Sequence, residues 1–301
     1  MNDDVMRRVA YYHAMGLAYW YSKVRDLLRV DRSRMSHCLK HFEGHGLEVG
    51  GKSAIFGVRG FIPIYATCAR LDNVTYSGLT AWEGHVQAGE TFQFHSGRAP
   101  GHQYVMEGAS LESLPSAKYD FVASSHMLEH SANPLAVLFG WKRLLKEGGR
   151  LLLVLPHRDG TFDHRRRVTE LSHLVQDYEN QTDESDRTHL EEILQLHDLR
   201  RDPAQASRAD FEQWISNNPI TRGAHHHVFD TRLAVQIVDF SGFQLVEVEP
   251  IRPYHIVIIA SKVAEGTATD NSSFLAGNSN RYRRSPFKTD REAGNIDAHQ
   301  G

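Results

Sequence analysis

Histidine sets the chemical character of this chain. Its 301 residues include 19 histidines, several beside acids or arginines. They occur in Ser125-His126-Met127-Leu128-Glu129-His130, in His157-Arg158-Asp159, in Asp163-His164-Arg165, and in His225-His226-His227 ahead of Asp230. An imidazole titrates near neutrality, so it can take or give a proton or ligate a metal. The stretch from His157 to Arg167 is also dense in Asp and Arg, whose planar forks suit an anionic or hydroxyl-rich ligand. The alternative there is a salt-bridged surface loop. His189, Glu192 and His197 fall on one helical stretch, but no His-Glu-x-x-His spacing is present. They are read as part of a charged amphipathic helix, and no metal ligand is assigned.

Such side chains need a scaffold, and the hydrophobic pattern predicts one. Short apolar runs occur at Leu47-Glu48-Val49-Gly50-Gly51, Val74 to Gly78, Tyr104 to Glu107, Tyr119 to Ser125 and Arg150 to Pro156. Near-continuous apolar strands mark a sheet buried on both faces. Pro134 to Lys146 predicts an amphipathic helix presenting Leu135, Leu138, Trp141, Leu144 and Leu145, stopped by Gly148-Gly149. A helix from Thr231 to Ser241, N-capped by Asp230, precedes strands over 243–249 and 254–262, an antiparallel ending. The expected fold is α/β, with a seven-stranded, mostly parallel Rossmann-like sheet and helices on both faces. Residues 1–44 predict an N-terminal helical cap, 45–263 the main domain, 157–224 a helical insertion after the fifth strand, and 264–301 a disordered tail. In such sheets ligands bind beyond the strands' carboxyl ends, where strand order reverses. Gly50-Gly51, Ser125-His126 and Pro156-His157 stand at those ends.

Composition narrows the partners. A net charge of -3 makes no global case for nucleic acid or an anionic membrane surface. The runs Leu151 to Leu155 and Ile256 to Ala260 are too short to span a bilayer. Met1-Asn2-Asp3-Asp4 carries acids where a secretory signal carries positive charge. Cys38 and Cys68 cannot make a disulfide framework, so free thiols and a cytoplasmic setting are expected.

The run Tyr119-Asp120-Phe121-Val122-Ala123-Ser124-Ser125-His126-Met127-Leu128-Glu129-His130, then Asn133-Pro134, then Trp141-Lys142-Arg143-Leu144-Leu145-Lys146-Glu147-Gly148-Gly149-Arg150-Leu151-Leu152-Leu153 resembles the second half of the class I S-adenosylmethionine-dependent methyltransferase domain, of the type 11-like kind. The resemblance covers roughly residues 45–160 and 225–262 and implies S-adenosylmethionine as cofactor. Family positions for the acid and glycines ending the first strand fall on Glu48, Gly50 and Gly51. Here the glycines are adjacent, with Lys52-Ser53 following. For the ribose acid the nearest residue is Glu83, a solvated loop acid being the alternative. The adenine position ahead of Leu114-Pro115 falls on Ser110 and Leu111, with Glu107 the alternative acid. Ser125 and His126 fall at the methionine end. No Gly-x-Gly-x-x-Gly and no phosphate-cradling motif is present, which suits a cofactor without phosphate.

Methyl transfer is an in-line displacement whose rate owes much to orientation. For an alcohol a positioned base adds roughly 10²–10⁴-fold. The resemblance therefore implies O-methylation of a small or carbohydrate-like acceptor, with His157, His227 or His126 as base. Asp159, Asp163, His164 and Arg165 are the expected acceptor clamp, in a lid made by the insertion. Relatives with the pattern from Pro156 to His164 look like those encoded with surface-polysaccharide enzymes, a family-level analogy. Two other readings stay open. One is a methyltransferase fold without turnover that binds or regulates. The other is a metal-dependent enzyme built on the His/Asp-rich insertion.

Overall fold

A computed structural model of the chain describes Met35 and residues 37–80, 84–108, 111–202, 205, 207–277 and 279–298. The expected N-terminal helix lies outside these residues up to residue 34, and Leu39–His41 forms a 3-10 turn.

The strands are β1 (His45–Val49), β2 (Arg70–Thr75), β3 (Leu79–Thr80), β4 (Gly84–His85), β5 (Gly89–Phe92), β6 (Gly101–Val105), β7 (Tyr119–Ser125), β8 (Leu145–Pro156), β9 (Gln244–Ile251) and β10 (His255–Ser261). Among the described residues they build an eight-stranded sheet, ordered β5-β6-β2-β1-β7-β8-β10-β9, and the small β3-β4 ribbon. The pairings β6-β2-β1-β7-β8 are parallel, whereas β5 and β10 run antiparallel to their neighbours. The α/β sheet is thus as expected in kind, with one strand more than the expected seven. The addition is the edge strand β5, whose exposed Glu90 and Thr91 hide it from a search for apolar runs.

Alternation sorts each strand's side chains between two cores. Leu151, Leu153 and Leu155 point to one face, and Leu152 and Val154 to the other. Ile256 and Ile258 oppose Val257 and Ile259 in the same way. A period of two on a doubly covered strand gives this split and explains the unbroken apolar runs. On the first face lie α2 (Pro134–Leu144) and α7 (Thr231–Phe240). The other face packs α1 (Ile64–Thr67) with Phe42, Phe56 and Tyr65. Asn133 caps α2 by accepting from the Ala136 N–H at 3.0 Å, and Asp230 caps α7 by accepting from Leu233 at 2.8 Å. Cys38 and Cys68 are buried free thiols, and burial pushes both up to about 12.

The insertion carries α3 (Leu171–Glu179), α4 (Leu190–Leu196), α5 (Arg208–Ser216) and α6 (Asn218–Thr221). Ile193, Phe211, Ile215 and Ala224 give it a small core of its own. The expected disordered tail is instead ordered against the domain through α8 (Ser272–Leu275), α9 (Asn280–Arg283) and α10 (Lys288–Ala298). Its anchors are few and scattered, which is why no periodicity betrays them. Asn271, Tyr282, Phe287 and Asp290 are buried, and the Asn271 amide bonds to Asp239 and the Phe243 carbonyl. Among the described residues no helix is long and apolar enough to cross a membrane.

Candidate active site

Strand order reverses between β1 and β7, so the loops that leave their carboxyl ends diverge and open a crevice. The β1 turn is built for close approach. Gly50 and Gly51 have φ of +113° and +100°, a region that L side chains avoid. A Cβ on Gly50 would lie 2.8 Å from Cβ of Met127, in the loop after β7. Buried Glu48 braces this turn from below. The Tyr65 hydroxyl donates to its Oε2 at 2.6 Å and the Ser53 N–H to its Oε1 at 3.0 Å.

After β2 come Tyr76 and Ser77, with no acid between Thr75 and Ser77. The Tyr76 hydroxyl donates toward the carbonyls of Ile220 and Thr221, both at 3.3 Å, and the Arg222 guanidinium sits 5.7 Å from its ring centroid. Arg222 also pairs with Glu107 at 2.6 Å and with Glu184 at 2.7 Å. Glu184 in turn accepts from the Ala132 N–H at 3.1 Å. The end of the insertion is thereby tied to the ends of β2 and β6 and to the loop after β7. Glu83 and Ser110 lie outside the described residues. Leu111 is buried, its carbonyl bonded to Arg143 at 2.5 Å.

β7 ends at half-buried Ser125, and His126 takes a left-handed φ of +52°. Its Nε2 meets His255 Nδ1 at 2.9 Å, and its Nδ1 lies 3.6 Å from Glu129 Oε1. Glu129 is buried, and its Oε2 has no hydrogen-bond partner. Burial works to raise this carboxyl, but the neighbouring imidazoles of His126, His130 and His225 hold it below its ordinary value. His130 lies 3.9 Å from Glu129 Oε1, and burial takes its imidazole down to about 4. The His130 and His225 rings meet edge to face at 4.6 Å. His225 Nδ1 reaches Asp163 Oδ2 at 2.5 Å, and Arg166 binds Asp163 Oδ1 at 3.1 Å. Burial disfavours the Asp163 charge, but His225 and Arg166 outweigh it and hold the carboxyl at about 2. Glu129, His225 and Arg166 were not among the residues expected from sequence. Glu129, flanked by His126 and His130 just past a strand end, was the available signal.

The other expected residues divide. His157 is fully buried under the tail, stacked on Phe287 at 3.9 Å and 3.0 Å from Asp290 Oδ1. That enclosure takes it away from the crevice where sequence placed it. His227 is 1% exposed, its Nε2 lying 3.3 Å from the Ala132 carbonyl. Asp159 accepts from the Thr289 N–H at 2.9 Å and its hydroxyl at 2.6 Å, so it fixes the start of α10. His164 and Arg165 both reach Asp198, at 3.1 and 3.3 Å. Asp159 and His164 do line a polar cleft of about 530 Å³ with Arg158, Arg201, Arg252 and Arg291. Asp163 belongs to the His225 cluster instead. His189 and His197 are not together, since His197 pairs with Asp202 at 3.0 Å and stacks on Phe162 and Phe211.

Residues 26–248 match the family described as "Methyltransferase domain". The chain belongs to that family. No curated protein sequence matches this methyltransferase significantly. Solved structures similar to it include a SAM dependent methyltransferase from Aquifex aeolicus, 14% identical with a TM-score of 0.41, covering 80% of this chain and 98% of that one. Another is an S-adenosylmethionine dependent methyltransferase from Mesorhizobium loti, 13% identical with a TM-score of 0.44, covering 77% and 97%. A third, from Archaeoglobus fulgidus, is 13% identical with a TM-score of 0.42, covering 77% and 92%.

Proposed function

We propose that this methyltransferase moves the methyl group of S-adenosylmethionine to a hydroxyl oxygen of a small, carbohydrate-like acceptor, with His126 as general base. The observation that carries this reading is the His126–Glu129 pair at the sheet's reversal point, one residue from the Met127 that packs on Gly50. Among the three expected bases, His126 keeps side-chain exposure, at 24%, whereas His157 and His227 are enclosed.

The positive-φ turn at Gly50-Gly51 is the feature that fits the cofactor, since it brings bare backbone to the crevice. Gly50, Gly51, Leu111 and Ser125 would hold it from the described side, with Glu48 bracing the turn through Ser53 and Tyr65 and with Ser110 and Glu83 completing the expected set. When bound, it supplies an electrophilic methyl on a sulfonium. His126 takes the hydroxyl proton at Nε2, where the acceptor would replace His255, and ionised Glu129 beside Nδ1 orients its ring and stabilises the imidazolium that forms. The polar cleft supports a hydroxyl-rich or anionic acceptor. Pro253, on its wall, precedes Tyr254, whose ring meets that of His126 at 5.3 Å. Asp159 and His164 would face the acceptor there.

Isothermal titration tests the cofactor, and absence of heat at millimolar S-adenosylmethionine would sink it. A panel of sugars, nucleotide-sugars and small phenols then tests the acceptor. His126→Ala should cut turnover by roughly 10²–10⁴-fold while cofactor affinity holds. Unchanged turnover would remove His126 as the base. A second reading, a binding module without turnover, is favoured by the lack of an acid between Thr75 and Ser77. Tight binding of the demethylated cofactor with no turnover on any acceptor would select it.

A further inference from the structure

His173 and Asp177 lie one turn apart on α3, His189 directly precedes α4, and His227 sits on the segment that returns from the insertion to the sheet. Residues at i and i+4 share a helix face, so α3 presents both side chains to the other two segments. Each of the three histidines offers a ring nitrogen within 4.8 Å of the others. His173 Nε2 is 3.1 Å from His189 Nε2 and 3.4 Å from Asp177 Oδ2, and His227, whose Nε2 donates to the Ala132 carbonyl at 3.3 Å, keeps its lone pair on Nδ1. Metal–ligand bonds of about 2.0–2.1 Å put neighbouring ligand atoms of a tetrahedron about 3.3–3.4 Å apart, close to the His173–His189 separation.

Hydrogen bonding alone leaves the cluster unbalanced. His173 Nε2 faces a nitrogen and a carboxylate oxygen, yet it can carry one proton and serve one of them. Asp177 Oδ2 and His227 Nδ1 are buried without a hydrogen-bond partner. Thr182 already holds the other Asp177 oxygen, at 3.1 Å. Converging lone pairs with too few protons are what a cation satisfies.

We propose that His173, His189 and His227 hold a divalent transition-metal ion, zinc being the expected one, with the Asp177 carboxylate backing His173. Three imidazoles suit that class. The ligands come from three separate segments, so the ion's role is to fix them together. It staples α3 and the start of α4 to the segment leading into α7. The site is independent of the methyl-transfer reading, because none of its ligands is needed as the base.

The test is metal content of untagged protein, loaded with zinc sulfate and desalted. One zinc per chain is expected in the wild type and in His37→Ala and His130→Ala, which remove members of the other two His-containing groupings. His173→Ala/His189→Ala should lose it, and Asp177→Asn should bind at least tenfold more weakly, the scale on which loss of a residue backing a ligand acts. Cobalt in the same site should show the strong visible bands of a tetrahedral centre. Chelation should make the 171–199 segment protease-sensitive. Should the double variant not fold, His189→Gln, at a half-exposed position, carries the same expectation. Wild type that holds no zinc after loading would overturn the proposal. So would a His189 variant that keeps its full equivalent.

Discussion

At Asp163 one carboxylate bonds both Arg166 and His225 in the interior; Arg166 also reaches Glu192 at 3.2 Å, whereas the His225 ring has Asp163 as its carboxylate partner. Removing one partner of a buried charged network leaves the others uncompensated. Asp163→Asn should therefore cost about 3–5 kcal/mol, read as a lower urea midpoint. A shift below about 1 kcal/mol would fit only an exposed pair, contrary to the geometry. Gly50 gives a second case. Ala there meets both the +113° φ and the 2.8 Å approach to Met127. Gly50→Ala should destabilise by at least about 1 kcal/mol and weaken cofactor binding, measured by titration calorimetry. Residue type and strand-end position made Gly50 and His126 legible in the sequence. Partnership was not legible. Nothing near His157 announces Asp290 or Phe287, because the tail supplies them from far along the chain.

Elements were legible where one physical signal dominated. Pro134–Leu144 keeps its expected apolar face, and all of Leu135, Leu138, Trp141 and Leu144 are buried. β2 is shifted toward the N-terminus from the expected Val74 to Gly78, since it begins at Arg70 and holds a buried acid. Asp72 is tolerated there because His45, Arg70, Lys118 and Tyr119 all bond it. Polar satisfaction on that scale cannot be seen in a linear pattern. The tail escapes a linear pattern for a related reason, since capping and buried polar contacts hold it rather than an apolar stripe. Asp290 alone accepts from the Thr231 N–H and hydroxyl and from Ser285. Asp290→Ala should therefore loosen α10 and the start of α7 together. Amide exchange should rise at residues 231–235 as well as in the tail. Exchange confined to the tail would mean the two elements are not coupled.

Across the molecule, buried neutral histidine governs the acid limb of stability. His130 is held at about 4 by burial, against an ordinary 6.5. Above that ordinary value neither folded nor unfolded chain binds the proton, and the group is silent. As pH falls from 6.5 toward 4 the unfolded chain takes a proton that the folded one refuses, so stability drops. The shift is worth about 3 kcal/mol. Asp163 adds a loss only lower, between 3.8 and about 2, where its carboxylate must be protonated. Urea midpoints measured from pH 8 to 4.5 should fall from near 6.5, and His130→Asn should make that slope shallower, His226 and His227, lowered by the same burial, keeping the rest. A flat wild-type profile would contradict the buried neutral state.

Arg222 holds Glu107 and Glu184 with one guanidinium. Raising that end of the insertion parts Arg222 from Glu107 and pulls Glu184, itself part of the insertion, off the Ala132 N–H. Both acids keep water access, at 43% and 22% side-chain exposure, so dissolved salt competes for them. Were the insertion a lid over the crevice, these contacts would be its electrostatic latch. Ionic strength would set how quickly a molecule passes beneath it, while the crevice below decides which molecule stays.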